Sequence, residues 1–76
     1  MTTLETNIRK RVPVCDFDGN FFYDGDRVKD LHGNSGTVQY DITAPEEWRW
    51  TVDFGTGSLM PLHYSNIANY RLVVEV

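Results

Sequence analysis

Apolar and polar residues alternate with a period of two through the middle of this chain. From Thr37 to Ile42, Val38, Tyr40 and Ile42 fall on one side and Thr37, Gln39 and Asp41 on the other, which is the pattern of a strand with one face buried. Beyond the loop Thr43-Ala44-Pro45-Glu46-Glu47, the run Trp48 to Phe54 repeats it. Trp48, Trp50, Val52 and Phe54 share one face there, and Arg49, Thr51 and Asp53 the other. Gly55-Thr56-Gly57 supplies a hairpin turn, because glycine accepts the positive φ that such turns need. Ser58 to Leu62 returns as a short partner, which Pro61 marks as an edge strand.

Shorter segments complete the set. Arg27 to Asp30 is entered through Asp24-Gly25-Asp26 and left through His32-Gly33-Asn34-Ser35-Gly36, and reads as a strand with Val28 inward. His63 to Asn69 is rich in turn formers and predicts a single 3₁₀ turn around Ser65-Asn66-Ile67; Tyr70 to Val76 then closes the chain as a β-branched strand. Five short strands and no helical periodicity past residue 12 predict an all-β fold, a small barrel over residues 13–76. Its expected core is Val28, Val38, Tyr40, Trp50, Val52, Phe54, Leu72 and Val74. Residues 1–12 are polar and predict a flexible or loosely packed N-terminal segment, with Pro13 opening the ordered part.

A length of 76 residues leaves room for one core only. Four Phe, four Tyr and two Trp are a heavy aromatic load for it, enough to fill a small interior and leave some rings exposed. The single cysteine, Cys15, rules out an intrachain disulfide, so a reducing, cytoplasmic setting is expected. Nothing in the sequence reads as a signal peptide or a membrane span, and no membrane partner is expected. The net charge is −4, unevenly laid out: Arg9, Lys10 and Arg11 against Glu5 give residues 1–12 a charge of +2, so the rest carries −6. An acidic body disfavours non-specific binding to nucleic acid, whose affinity comes mainly from basic side chains displacing counterions.

The layout Gly25-Asp26-Arg27-Val28-Lys29, Gly36-Thr37-Val38, Trp50-Thr51-Val52-Asp53-Phe54 and Leu72-Val73-Val74-Glu75-Val76 resembles SH3-like barrels of the kind found in translation-factor KOW domains and in photosystem I. The resemblance covers about two thirds of the chain and implies a five-stranded SH3-like barrel; it implies little about activity. Upstream, the stretch from Asp16 through Gly19, Tyr23, Gly25 and Asp26 to Val28 is similar to the YopX-type pattern of bacteriophage and prophage proteins. That similarity implies a mobile-element origin.

Candidate chemistry is thin. Asp16, Asp18 and Asn20 open like a calcium-binding EF-hand loop, but Phe21 stands where the loop needs glycine and Arg27 where it needs a bidentate carboxylate. A polar turn is the better reading. Cys15, His32 and His63 are too few and too scattered for structural zinc, and Cys15, beside Asp16 on an expected strand, reads as a quiet core thiol rather than a nucleophile. No metal, cofactor or catalytic constellation is expected.

Aromatic surface remains. Tyr and Trp dominate protein interfaces, so the sequence predicts a non-catalytic module that binds a partner protein, with Tyr23, Trp48, Tyr64, Arg49, Asp24 and Asp26 as the contact residues. An acidic mimic of nucleic acid, built on Asp16, Asp18, Asp24, Asp26 and Asp30, is the alternative. A nucleic-acid-binding barrel using Arg9, Lys10 and Arg11 is the third.

Overall fold

The structure, a computed structural model, describes residues 9–75. It is mostly β, with five antiparallel strands in one sheet: β1 (Arg27–Lys29), β2 (Ser35–Tyr40), β3 (Trp50–Asp53), β4 (Leu59–Pro61) and β5 (Val73–Val74), in the order β4-β3-β2-β1-β5. A 3₁₀ turn, Glu46–Trp48, precedes β3, and one helix, α1 (Tyr64–Tyr70), lies between β4 and β5. Among the described residues no helix is long and apolar enough to cross a membrane.

Register sorts the side chains into two faces. Val28 stands opposite Gly36 and Val74, Val38 opposite Val52, Val52 opposite Met60, and Tyr40 opposite Trp50, so one face is apolar. The buried core on it joins Val28, Val38 and Val52 to Val12, Phe22, Leu62, Ile67 and Leu72, with Val14, Trp50, Phe54, Met60 and Val74 packed around. Gly36 is required by space: a β-carbon there would lie 2.6 Å from Val52 Cγ1 and 2.9 Å from Phe54 Cδ1. Gly55 and Gly57 take the positive φ that their turn demands, 82° and 86°.

Several expectations need correction. Ile42 is exposed rather than inward, because β2 ends at Tyr40 and the chain turns at Asp41, where the Asp41 carboxylate accepts the Thr43 N–H and hydroxyl. Trp48 is not in β3. Pro45, Glu46 and Glu47 start a 3₁₀ turn, whose Trp48 N–H donates to the Pro45 carbonyl at 2.8 Å. The expected single turn at Ser65–Ile67 is a full helix burying Ile67, and it takes Tyr70 from the last strand. Tyr40 is only half-buried. Cys15 is exposed and not a core thiol.

The N-terminal stretch 1–12 divides in two. Residues 1–8 lie outside the described residues. Arg9 to Val12 run beside Phe22 to Asp24: the Val12 N–H donates to Phe22 and the Asp24 N–H to Lys10, with Arg11 and Tyr23 bridged. Val12 is thereby carried into the core.

At both edges of the sheet, polar groups rather than further strands meet part of the outward backbone. The bond from the Leu62 N–H to Trp50 fixes the alternation on β4, so Leu59 and Pro61 aim their backbone groups at the free edge. Pro61 has no N–H to offer there, and its carbonyl accepts the Asn66 side-chain amide at 2.8 Å. On the opposite edge, the Leu72 carbonyl accepts the Phe17 N–H at 2.7 Å, and the Asp16 carboxylate accepts the Val74 N–H at 3.1 Å. Such caps blunt an edge against pairing with another chain.

Candidate partner-docking site

Opposite the core, Thr37, Asp53 and Leu59 share a row, as do Gln39, Thr51 and Pro61. Over this face the loop from Asp41 to Arg49 folds back. The Asp41 N–H donates to the Arg49 carbonyl at 2.8 Å and closes the loop's base, while Arg49 Nε donates to the Ala44 carbonyl at 3.1 Å and ties its middle. Pro45 and the 3₁₀ turn then fix where Trp48 stands. A loop held this way loses little backbone freedom on binding.

Trp48 is 44% exposed and lines a groove of about 460 Å³ together with Asp24, Gln39, Asp41, Ala44, Thr51 and Leu59. Thr51 is buried on this face, where Leu59 and Pro61 stand among polar residues. The charged residues of the lining are both acids. Asp41 is held below the ordinary carboxylate range by the hydroxyl and then the N–H of Thr43, so it is ionised wherever the protein is neutral or mildly acidic.

The six residues singled out in the sequence separate spatially. Trp48 and Asp24 line the same groove. Arg49 lines a smaller neighbour of about 330 Å³ with Pro13, Tyr40, Glu46, Trp50 and His63. Tyr23 is half-buried, with the Arg9 guanidinium 5.6 Å from its ring centre. Asp26 holds the turn before β1: one oxygen accepts the Tyr23 N–H and the other pairs with Arg9, both at 2.9 Å. Tyr64, on α1, is 77% exposed and lines none of these grooves. A larger groove of about 740 Å³ runs between the β1–β2 loop and the β3–β4 hairpin, lined by Asp30, Phe54, Met60 and Tyr70 among others.

Sequence reasoning missed Gln39, Asp41 and Leu59 as neighbours of Trp48. Alternation alone places Gln39 and Asp41 on the polar side of β2; what it lacks is the fold-back of the loop that sets Trp48 over that side.

The acids that suggested a nucleic-acid mimic are mostly used by the fold. Asp16 accepts the N–H groups of Asp18, Asn20 and Val74, Asp24 that of Lys10, and Asp30 those of His32 and Asn34. With the geometry in hand, comparison with known proteins finds no matching family model, no matching curated protein and no matching solved structure.

Proposed function

We propose that this protein is a small, non-catalytic protein-binding module, built as an SH3-like barrel of phage or other mobile-element origin, that docks a partner protein through the groove at Trp48. The observation that carries the proposal is Trp48 itself, nearly half exposed on a loop tied at both its base and its middle. A large aromatic ring held out over a groove of mixed apolar and acidic lining has the properties of an interface anchor. The barrel reading is supported by β1 lying between β2 and β5, which joins the meander of β2 to β4 to the C-terminal strand. The exposed thiol of Cys15 suits a reducing, cytoplasmic setting.

Docking is favoured over mimicry because the candidate carboxylates of Asp16, Asp26 and Asp30 are bonded to the chain's own groups through both oxygens. A mimic presents its charges outward instead. The test is capture of proteins from a lysate of the source organism on immobilised wild type and Trp48→Ala, at low and high salt. Docking predicts a specific protein that is retained by wild type and lost with Trp48→Ala. Loss only with Asp24→Asn plus Asp26→Asn, with steep salt dependence, would favour mimicry instead.

A further inference from the structure

All seven lysines and arginines of the chain are among the described residues, so the pairing of side-chain cations with aromatic rings can be read completely. Arg11 stands 4.5 Å from the centre of the exposed Phe21 ring, Arg71 5.7 Å from Phe17, Arg9 5.6 Å from Tyr23, and Lys10 5.2 Å from Tyr40. Trp48, whose indole is the strongest cation acceptor among aromatic side chains, has no such partner among the described residues. Its sequence neighbour Arg49 is turned away to the Ala44 carbonyl. Beside Trp48, the groove lining carries the carboxylates of Asp24 and Asp41 and no basic residue, although Lys10 stands over the ring of Tyr40, which also lines it.

We infer that the groove receives an arginine side chain of the partner protein. The inference rests on the docking role proposed above and names its chemistry. Three features converge on a guanidinium: an indole that is 44% exposed with no cation paired to it, two carboxylates in one lining that bond the chain's own groups through Oδ1, and a chain whose net charge is −4. Arginine stacks its planar head on an aromatic face while its edge donates to carboxylates. A lysine ammonium can do the second but has no plane to stack. The groove's 460 Å³ is ample for one such side chain and its flanking backbone.

The experiment titrates the full chain, labelled with nitrogen-15, against three seven-residue Gly/Ser peptides that carry arginine, lysine or citrulline at the centre. Citrulline keeps the shape of arginine and removes its charge. The readout is the indole N–H signal of Trp48, assigned by its loss in Trp48→Phe. The expected result is saturable movement with the arginine peptide, with the citrulline peptide weaker by about fivefold or more, as an exposed pair of charges plus a cation–π contact allows. Asp24→Asn plus Asp41→Asn, which keeps an oxygen at each position to accept the Lys10 and Thr43 N–H groups, should bring the arginine peptide down to the citrulline level. Should that pair perturb folding, Asp41→Asn alone, at an exposed position, gives a smaller loss of the same sign. Equal saturation by arginine and citrulline would overturn the arginine assignment while leaving docking at Trp48 intact. A Trp48 signal that moves with none of the peptides also overturns it, and the capture experiment then decides the docking role separately.

Discussion

The carboxylate of Asp16 accepts the backbone N–H of Val74 at 3.1 Å, across 58 positions of sequence. Its other oxygen accepts the N–H groups of Asp18 and Asn20, so one side chain, only 5% exposed, shapes a turn and caps the edge of β5. Removing it strands three part-buried donors. Asp16→Ala should therefore cost about 2–4 kcal/mol, measured as a lowered urea midpoint. Asp16→Asn should cost less, since it keeps one acceptor but sets an NH₂ group against one of the donors. An Asp16→Ala variant within about 0.5 kcal/mol of wild type would show that water replaces the carboxylate at no cost.

Gly36 makes a prediction about space. An added methyl would press on Val52, Phe54 and the Asp53 carbonyl, all at 3.0 Å or less, and none of these is the loose end of a flexible chain. Gly36→Ala should lose about 1–3 kcal/mol of stability by overpacking. Chemical denaturation checks it, and an unchanged midpoint would mean that β2 and β3 can separate freely at this point.

Phe22 is fully buried, whereas Trp50 is partly so. Phe22→Ala should cost about 3–5 kcal/mol, comparable to the entire stability of a small domain, and leave the chain largely unfolded by circular dichroism. Trp50→Ala should cost less. The reverse order would relocate the centre of the core to the Tyr40–Trp50 pair.

That difference also marks how far the sequence could be read. Strands with strict alternation were legible: β1, β2 and β3 stand close to where Val28, Val38 and Val52 place them. Phe22 was not, because it sits in the run Phe21-Phe22-Tyr23, where alternation cannot choose which ring turns inward. Val12 precedes Pro13, which disguises it as the end of a polar tail. Ile67 is the single buried residue of a seven-residue helix, too short to show a helical period. At the site, Trp48 and Asp24 were recognisable from residue type and position near turns. Their companions Asp41 and Leu59 come from the base of the same loop and from β4, and only the packed loop brings them together.

The turn at Asp41 predicts a pH effect of defined sign. Its carboxyl is held low first by the Thr43 hydroxyl and then by the Thr43 N–H, so the folded pKa lies below the unfolded one. A depressed carboxylate contributes stability that is present above the unfolded value, about 3.9, and lost as pH falls through the folded value. Asp30 behaves alike: burial raises its pKa, but hydrogen bonds from Asn34 and His32 outweigh that and leave it lowered. Stability should therefore decline below about pH 4. In Thr43→Val, carbon-13 titration of the Asp41 carboxyl should show its midpoint moving up toward the ordinary value. An unmoved midpoint would assign the shift to something other than the hydroxyl.

The docking claim meets its most direct test at Trp48. Replacing that residue with the photo-reactive benzoylphenylalanine and irradiating the protein in a lysate of the source organism reports what touches this position. The expected product is a discrete cross-link to one protein, absent when the same group replaces exposed Leu31 and suppressed by an excess of unmodified chain. Cross-links to nucleic acid, or none above those at Leu31, would contradict a protein-docking role for this groove.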